Sequence, residues 1–135
     1  MSEIDTVRSF LSALERFDND AAYALVADDI VYQNNHLPPA RGRKAFEKTM
    51  EMMGRFGDHF EARIHHIAQD GTVVLTHRTD VLGNRGANFE FWVWGSFEVR
   101  NGKIVDWHDY FDWAQFSGRM LAAMPKMAFK TISRR

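Results

Sequence analysis

Cysteine is absent from this sequence of 135 residues, and its absence excludes several kinds of chemistry. A chain without thiols has no disulfide framework, no thiolate nucleophile and no Cys-ligated metal. Long apolar runs are missing as well, because no stretch approaches the roughly 20 apolar residues that span a bilayer. The polar start MSEIDTVRSF is followed by no apolar secretory segment. We therefore expect a cytoplasmic protein with no membrane partner.

An excess of charge of either sign is also lacking. The 17 Lys and Arg residues nearly balance the 18 Asp and Glu residues, for a formal net charge of -1. Since there is no basic field to attract phosphates, we expect no nucleic-acid partner. The six histidines show no helical i, i+4 pair with an acidic ligand, and the adjacent His65 and His66 are predicted to point to opposite faces of a strand. The sequence therefore predicts no metal site and no cofactor.

Aromatic residues are abundant instead. They make up 13% of the chain, with 11 Phe and 4 Trp, and a chain of 135 residues has the usual size of one compact domain. We expect a single domain over residues 1–135, whose aromatic rings line either the core or a pocket.

The first part of the chain has helical periodicity. Apolar residues recur every three or four positions from Ile4 to Phe17, which predicts an amphipathic helix capped by Ser2. A second helix is predicted from about residue 18 to the acidic pair at residues 28 and 29, and a third from about residue 43 to residue 54. Between them, residues 30–34 have the pattern of a short strand.

The rest of the chain is predicted to be antiparallel sheet. The β-rich runs at residues 60–69, 72–82, 89–99 and 103–113 are separated by turn signals at residues 70–71, 83–86 and 101–102. A last helix begins at about Ala114. Three helices followed by a meander predict an α+β domain, in which a curved antiparallel sheet wraps around the three N-terminal helices.

The last hairpin decides which residue faces Asp109. A two-residue loop at residues 101–102 places Trp94 opposite Asp109, whereas a three-residue loop at residues 100–102, with its glycine in a bulge, places Val93 there. Of these two loops, the bulged one makes the apolar faces of the two strands coincide, and we therefore predict it. Asp109 then lies in a row of apolar residues. A carboxylate in such surroundings requires a charged or hydrogen-bonding partner, or has a functional role.

Five polar residues on three predicted strands stand out because of their spacing. Residues two apart on a strand point the same way, so Tyr32 projects with Asn34 and Arg78 projects with Asp80. Neighbouring strands can aim both pairs and Asp109 into one cavity. An arginine fork can hold a carboxylate on either side, and two carboxylates beside one cation can differ in protonation. Such a site has an acid and a base at the same pH.

Hydrolysis of an epoxide requires such a pair. A proton is delivered to the epoxide oxygen while a water is deprotonated as it attacks carbon, and each transfer is worth typically ~10²–10⁴-fold in rate. Our hypothesis assigns Asp109 as the general base and Asp80 as the general acid, with Tyr32 and Asn34 holding the water. A purely structural ion pair between Arg78 and its carboxylate neighbours is the alternative.

Three segments of the sequence resemble the signature blocks of the limonene-1,2-epoxide hydrolase family. They are YQNNHLPPARGR at residues 32–43, HRTDVL at residues 77–82 and NGKIVDWHDYFD at residues 101–112, so the resemblance spans most of the chain. It implies the cone-shaped fold of nuclear transport factor 2-like domains, and a one-step attack by water with no covalent ester intermediate. It also implies the same roles for the five polar residues, with Arg78 bridging the acid and the base.

The expected substrate is a small, largely apolar epoxide. Core residues near the five polar residues are the candidates to line its pocket, although each is a core residue first. The candidate substrate-binding residues are Met50, Met53, Phe91, Val93, Phe111 and Phe116. Departures from the family pattern fall in this lining, at His36, Arg41, Met53 and Phe91, and leave the identity of the epoxide open.

The other face of the last strands is expected to be a homodimer interface. It carries the alternating row Asp106, His108, Tyr110 and Asp112, together with Trp92 and Trp94. Two large rings on an otherwise polar face are costly to leave exposed, and a curved sheet frequently pairs through this face.

Two other functions remain open. An enzyme similar to ketosteroid isomerase or to a polyketide cyclase can use Tyr32 and a protonated Asp80 as an oxyanion hole. A position of Arg78 between two carboxylates argues against it, because an isomerase has little use for a second carboxylate. A non-catalytic pocket for a small apolar ligand is the other possibility, although such a pocket gains nothing from buried charges.

Overall fold

The structure, a computed structural model, describes residues 1–133, with side chains described as far as residue 126. Within that part of the chain there are four helices and six strands. Their bounds are α1 Glu3–Glu15, α2 Asn19–Tyr23, β1 Val26–Asn34, β2 Ala40–Arg41, α3 Arg43–Gly54, β3 His59–Asp70, β4 Val73–Asn84, β5 Ala87–Arg100, β6 Lys103–Tyr110 and α4 Trp113–Ser133.

Helix α1 begins and packs as the periodicity predicts. The Ser2 hydroxyl accepts a hydrogen bond from the Asp5 backbone N–H (3.1 Å), and the Asp5 carboxylate accepts one from the Ser2 N–H (3.0 Å). This capping box satisfies two donors that are otherwise unpaired at a helix N-terminus. The apolar stripe of Val7, Phe10 and Leu11 is buried against the sheet.

The second helix is much shorter than predicted. It ends at Tyr23, and β1 already begins at Val26, so the predicted helix over residues 18–29 is wrong beyond residue 23. Val26 pairs with Ile104 of β6, and both side chains are buried. The Arg43 guanidinium secures the turn by donating to the carbonyl oxygens of Tyr23 and Val26. Short apolar spacings do not separate helix from strand, and pairing with a distant strand decides here.

The six strands form one sheet in the order β2-β1-β6-β5-β4-β3. Strands β3 to β6 form the predicted antiparallel meander, and β2, a two-residue strand that was not predicted, pairs antiparallel with β1. In contrast, β1 pairs parallel with β6, so the sheet is mixed rather than wholly antiparallel. Parallel neighbours are joined by long connections, which local turn signals do not reveal. The α+β class is confirmed.

The loop between β5 and β6 is shorter than predicted. Arg100 pairs with Lys103, so the loop consists of Asn101 and Gly102 alone. Both residues have left-handed backbone angles, with φ of 52° and 74°. Two consecutive positive φ angles are what a tight two-residue hairpin turn requires. The predicted three-residue loop is therefore wrong.

A bulge on β6 then changes the register once more. It lies at Val105, directly after the loop, and shifts the pairing by one residue. Beyond the bulge, the apolar side chains of β5 and β6 lie on the same face of the sheet. The extra residue in the bulge restores the side-chain alternation that a loop one residue longer would have given. Gly95 lies opposite Asp109, so the predicted pairing of Val93 with Asp109 is wrong.

Two apolar clusters fill the space between the sheet and the helices. The first packs α1 and α3 onto the sheet and includes Phe10, Phe46, Phe97 and Trp107. The second lies against α4 and contains Phe89, Phe91, Val93, Phe111 and Ala123. On β4 and β6, a belt of buried polar side chains separates the two clusters. Its members are Thr76, Arg78, Asp80 and Asp109.

Helix α4 covers the part of β5 that β6 leaves open. Strand β6 ends at Tyr110, and the backbone N–H of Trp92 on β5 donates to the Gln115 side chain of α4 at 3.1 Å. The helix continues past Pro125. Over the described residues, no helix is both long and apolar enough to cross a membrane.

Candidate active site

A row of cross-strand neighbours crosses the inner face of the sheet. On β4, Thr76 pairs with Gly95 of β5. Gly95 in turn pairs with Asp109 of β6, which pairs with Asn34 of β1. The parallel pairing of β1 with β6 thus places an amide side chain beside a buried carboxylate, on the face that points toward the helices.

Arg78 is fully buried and uses all five of its N–H donors. Nε and Nη2 donate to the two carboxylate oxygens of Asp80, both at 3.0 Å. Nη2 and Nη1 donate to Oδ2 and Oδ1 of Asp109, at 3.0 and 3.4 Å respectively. Nη1 also donates to the Thr76 hydroxyl at 3.0 Å. The guanidinium therefore bridges the two carboxylates and fixes the orientation of both.

Burial and charge act differently on the members of this network. Burial raises the pKa of Asp80, the Arg78 guanidinium lowers it, and the charges of Asp109 and Glu15 raise it, with a net upward direction. Burial lowers the pKa of Arg78, but the two flanking carboxylates outweigh burial and raise it overall. The cation therefore stays charged, while Asp80 holds its proton to a higher pH than a free aspartate does.

Gly95 provides the space in which the network assembles. A Cβ at this position lies 2.8 Å from both the Thr76 hydroxyl and Oδ1 of Asp109, and closer still to Arg78. Thr76 is itself buried, and its hydroxyl donates to the Gly95 carbonyl at 3.4 Å. Sequence reasoning missed both residues. The available signals were the spacing of two between Thr76 and Arg78, and a glycine in the interior of a strand, which marks a close approach.

Trp107 is a third residue whose part in the site was missed, because a tryptophan on an apolar strand face is ordinarily a core residue. Its indole Nε1–H donates to Oδ1 of Asp109 at 2.8 Å. The centroid of its ring lies 4.3 Å from that of Tyr32 and 5.7 Å from that of Phe97. The spacing of two between Trp107 and Asp109 on one strand was the signal that could have found it.

Tyr32 and Asn34 lie side by side on β1. The Tyr32 hydroxyl donates to Oδ1 of Asn34 at 3.3 Å and lies 3.9 Å from the sulfur of Met53. Burial raises the pKa of Tyr32, and the negative charge of Asp109 raises it further. The hydroxyl therefore remains a neutral donor throughout the range in which carboxylates titrate.

Asn35, which was not singled out from the sequence, fastens the strand ends beside the site. Its side chain exchanges two hydrogen bonds with the backbone of Phe111, both at 3.1 Å. Its backbone N–H donates to the carbonyl of Asp109 at 3.0 Å, and its carbonyl accepts from the Trp113 indole at 3.0 Å. These contacts fix the position of Asp109 along the strand direction relative to β1.

Four of the six candidate substrate-binding residues form one wall beside α4. The Phe91 ring centroid lies 5.7 Å from that of Phe111 and 4.9 Å from that of Phe116. Val93 belongs to the same cluster and is the cross-strand partner of Arg78. The wall therefore adjoins the ion-pair network directly.

The two candidate methionines lie apart from this wall. Met50 is buried in the first apolar cluster, together with residues of α1. Met53, also on α3, is 46% exposed and has its sulfur near the Tyr32 hydroxyl. The structure therefore divides the six candidates between two sides of the site, one next to Arg78 and one next to Tyr32.

The network itself is enclosed. The side chains of Asp80 and Asp109 are 7% and 9% exposed, so water screens their charges weakly. A cavity of about 400 Å³ lies further along α4, with Phe89 and Arg119 in its lining. The Phe89 ring centroid is 6.0 Å from that of Phe91, so the cavity and the network flank the same aromatic wall.

Three histidines, His65, His66 and His77, lie together on the outer face of the sheet. Among the described residues, no group of three or more His, Cys, Asp or Glu side chains has the geometry to hold a metal ion. A bulge between Ile64 and His66 brings the rings of His65 and His66 to within 5.2 and 5.7 Å of the His77 ring. The prediction that these two histidines point to opposite faces is therefore wrong, because a bulge interrupts the two-residue alternation.

Known proteins resemble this chain along most of its length. Residues 1–124 match the family model of the limonene-1,2-epoxide hydrolase catalytic domain. Epoxide hydrolase EphG of Mycobacterium tuberculosis is 45% identical over 107 residues, which cover 78% of this chain and 70% of that protein. The solved structure of an M. tuberculosis LEH-like epoxide hydrolase has a TM-score of 0.80 at 36% identity, over 94% of this chain and 95% of that chain.

More distant structures share the fold. A nuclear transport factor 2-like protein of unknown function from Burkholderia pseudomallei has a TM-score of 0.78 at 17% identity, over 88% of this chain and 98% of that chain. At an identity this low, the similarity shows a shared fold and no more. This shared fold confirms the nuclear transport factor 2-like architecture. The family model and the 45% identical relative go further. The chain belongs to the limonene-1,2-epoxide hydrolase family and is an epoxide hydrolase of that type.

Proposed function

We propose that the protein adds one water to a small, largely apolar epoxide and releases a vicinal diol, in one step and without a cofactor. The observation that supports this most strongly is the pair of buried carboxylates, Asp80 and Asp109, on the Arg78 guanidinium. Stability alone does not account for such a network, because a protein in which well-packed apolar residues of similar volume replace a buried ion pair is often equally stable. Two carboxylates in different environments supply an acid and a base at one pH.

Asp109 is the general base in this proposal. It takes a proton from the water while the water oxygen attacks an epoxide carbon. Asn34 is its neighbour in the pairing of β1 with β6, and the Tyr32 hydroxyl lies beside the Asn34 amide. An amide and a neutral hydroxyl offer both donors and acceptors, so together they hold the water for attack.

Asp80 is the general acid. Its pKa is raised, chiefly by burial, so it keeps a proton that it can deliver to the epoxide oxygen as the C–O bond breaks. The step leaves Asp80 ionised and Asp109 protonated. Return of a proton from Asp109 to Asp80 restores the starting state. Arg78 is hydrogen-bonded to both carboxylates and stabilises whichever of them is charged.

The apolar character of the substrate is inferred from the wall beside the network. Phe91, Val93, Phe111 and Phe116 present hydrocarbon next to Arg78, with no charge of their own. Met50 and Met53 are proposed to close the site on the side of Tyr32. A hydrocarbon skeleton gains free energy from such surfaces, whereas a charged substituent loses its hydration there.

The alternative of an isomerase or cyclase is disfavoured by the same contacts. Such an enzyme needs one carboxylate base and an oxyanion hole. In this structure Arg78 holds two buried carboxylates, Asp80 and Asp109, and an isomerase has little use for the second. Exchange of the α-proton of a carbonyl compound with deuterated water, in the absence of epoxide turnover, would revive this alternative.

We also propose that a second copy of the chain covers the outer face of the sheet. Trp92, Trp94 and Tyr110 are 37%, 52% and 45% exposed there, and Trp94 stacks on His77 with ring centroids 4.2 Å apart. Sedimentation should give the mass of two chains for the wild type and of one chain for Trp94→Glu. A wild-type mass of one chain would refute the proposed dimer.

Diol formation from a panel of small epoxides, including limonene oxide and cyclohexene oxide, tests the function. We expect turnover by the wild type, and a loss of at least about a hundredfold in kcat for Asp109→Asn and for Asp80→Asn. Both substitutions are nearly isosteric, so circular dichroism should show a folded protein. Equal turnover by the wild type and Asp109→Asn would refute the assignment of the base.

Isotope labelling tests the single step. With enzyme in excess over substrate in H₂¹⁸O, direct attack by water places ¹⁸O in the diol of the first turnover. A covalent ester intermediate would instead transfer an unlabelled oxygen from a carboxylate in that turnover. Unlabelled first-turnover diol would therefore overturn the one-step mechanism while leaving epoxide hydrolysis itself intact.

A further inference from the structure

The two oxygens of Asp109 are hydrogen-bonded unequally. Oδ1 accepts from the Trp107 indole at 2.8 Å and from Nη1 of Arg78 at 3.4 Å. Among the residues that the structure describes, Oδ2 accepts a single hydrogen bond, from Nη2 of Arg78 at 3.0 Å. A carboxylate oxygen has about two lone-pair directions, so Oδ1 is occupied and Oδ2 keeps one direction free.

We propose that Trp107 is a positioning residue, whose indole N–H occupies Oδ1 of Asp109 and thereby makes Oδ2 the oxygen that receives the proton from water. The inference rests on the proposed function, in which Asp109 is the base. A proton acceptor must present a lone pair within hydrogen-bond reach of the water, and Oδ2 alone has one to present.

The indole is held firmly enough to perform this task. Trp107 is 4% exposed, and its ring lies between those of Tyr32 and Phe97, with the edge of Phe10 at 5.1 Å between centroids. A ring packed on several sides keeps one rotamer, so the N–H has one direction. The same ring supports Tyr32, so a single side chain orients both the base and one of the proposed water ligands.

The neighbouring strand β5 also limits the space around Oδ1 of Asp109. Gly95 faces Asp109 across the sheet, and even a Cβ there reaches Oδ1 at 2.8 Å. The space on that side of Oδ1 is therefore taken up by the protein itself. In the proposed mechanism the water lies on the β1 side of Asp109, where Asn34 is its neighbour.

The main test compares Trp107→Phe with Val99→Ala. Trp107→Phe keeps a ring but removes the N–H, and we expect kcat to fall about ten- to a hundredfold with KM changed by less than about threefold, because a misoriented base slows the chemical step. Val99→Ala is the matched control, since it removes packing from the same apolar cluster but leaves the N–H and the rings around the indole in place. It should lose stability but keep kcat within about threefold of the wild type.

A second variant covers the case in which Trp107→Phe fails to fold. The benzothienyl analogue of tryptophan at position 107 replaces N–H by sulfur in a ring of nearly the same shape, and it should show the same fall in kcat. Wild-type kcat in either folded variant would overturn the proposal.

Nuclear magnetic resonance gives a readout that does not depend on turnover. The chain has 4 Trp, and the indole proton of Trp107 is the resonance lost in Trp107→Phe. A hydrogen bond to a carboxylate moves this proton downfield, so it should shift upfield in Asp109→Asn. An unmoved resonance would overturn the proposal even if epoxides are hydrolysed. Absence of epoxide turnover by the wild type would instead overturn the proposed function, which this resonance does not report.

Discussion

Replacing Gly95 by alanine tests whether the tight assembly of the ion-pair network matters for activity. The new Cβ would lie 2.8 Å from Oδ1 of Asp109 and from the Thr76 hydroxyl, and closer to Arg78. Reaching the 3.4 Å of ordinary contact requires Oδ1 of Asp109 and the Thr76 hydroxyl to move by about 0.6 Å and Nη1 of Arg78 by about 1 Å. Catalytic groups tolerate displacements of only about 0.5 Å, and a shift of about 1 Å costs roughly a hundredfold in rate.

We therefore expect Gly95→Ala to reduce kcat about ten- to a hundredfold, and to lower the free energy of unfolding by about 1–3 kcal/mol through overpacking. Diol formation measures the first effect and urea denaturation the second. Gly118→Ala is the matched control, because its Cβ meets nothing within 4 Å on α4. It should keep wild-type kcat and gain up to about 1 kcal/mol in stability. A fully active Gly95→Ala would refute the idea that the network must hold this geometry.

Three further predictions concern the charges and the helix cap. Arg78→Met should cost about 3–5 kcal/mol in urea denaturation, because two buried carboxylates lose their cation; an unchanged midpoint would contradict this. Folded Asp80 has a pKa raised above its ordinary 3.8, so its contribution to stability is present below that pH and is lost as the pH rises through the raised pKa. The wild type should therefore lose stability relative to Asp80→Asn as the pH rises above 3.8, whereas parallel curves would contradict the raised pKa. Ser2→Ala should cost about 0.5–2 kcal/mol without changing kcat, because it removes only the cap of α1; altered kcat would show that α1 acts on the site.

Strand alternation explains why part of the site could be found without a structure. Tyr32 with Asn34, and Arg78 with Asp80, are pairs of residues two apart on single strands, and the direction of a side chain on a strand depends only on its parity. The same rule was available for Thr76 and Trp107. They were missed because threonine and tryptophan are uncharged and are commonly found on the apolar face of a strand, so their presence there does not indicate a functional site.

The rule fails wherever a bulge intervenes. His65 and His66 are neighbours in sequence, yet both rings contact His77 because β3 has a bulge there. The bulge at Val105 likewise shifts the partner of Asp109 by one residue, from the Trp94 that the two-residue loop alone would give to Gly95. Bulges arise from the twist and closure of the whole sheet, and a local pattern of apolar residues does not record them.

By itself, the sequence determined which residue types share a strand face, where α1 and α3 lie, and the α+β class, because each of these depends on the periodicity of a short segment. The tertiary structure alone decided that β1 runs parallel to β6, and therefore that Asn34 lies beside Asp109. It also decided that Gly95 of β5 leaves room for the network, and that Arg78 of β4 reaches Asp109 of β6 across it. These contacts join different strands, whose pairing follows from burying all the apolar faces at once.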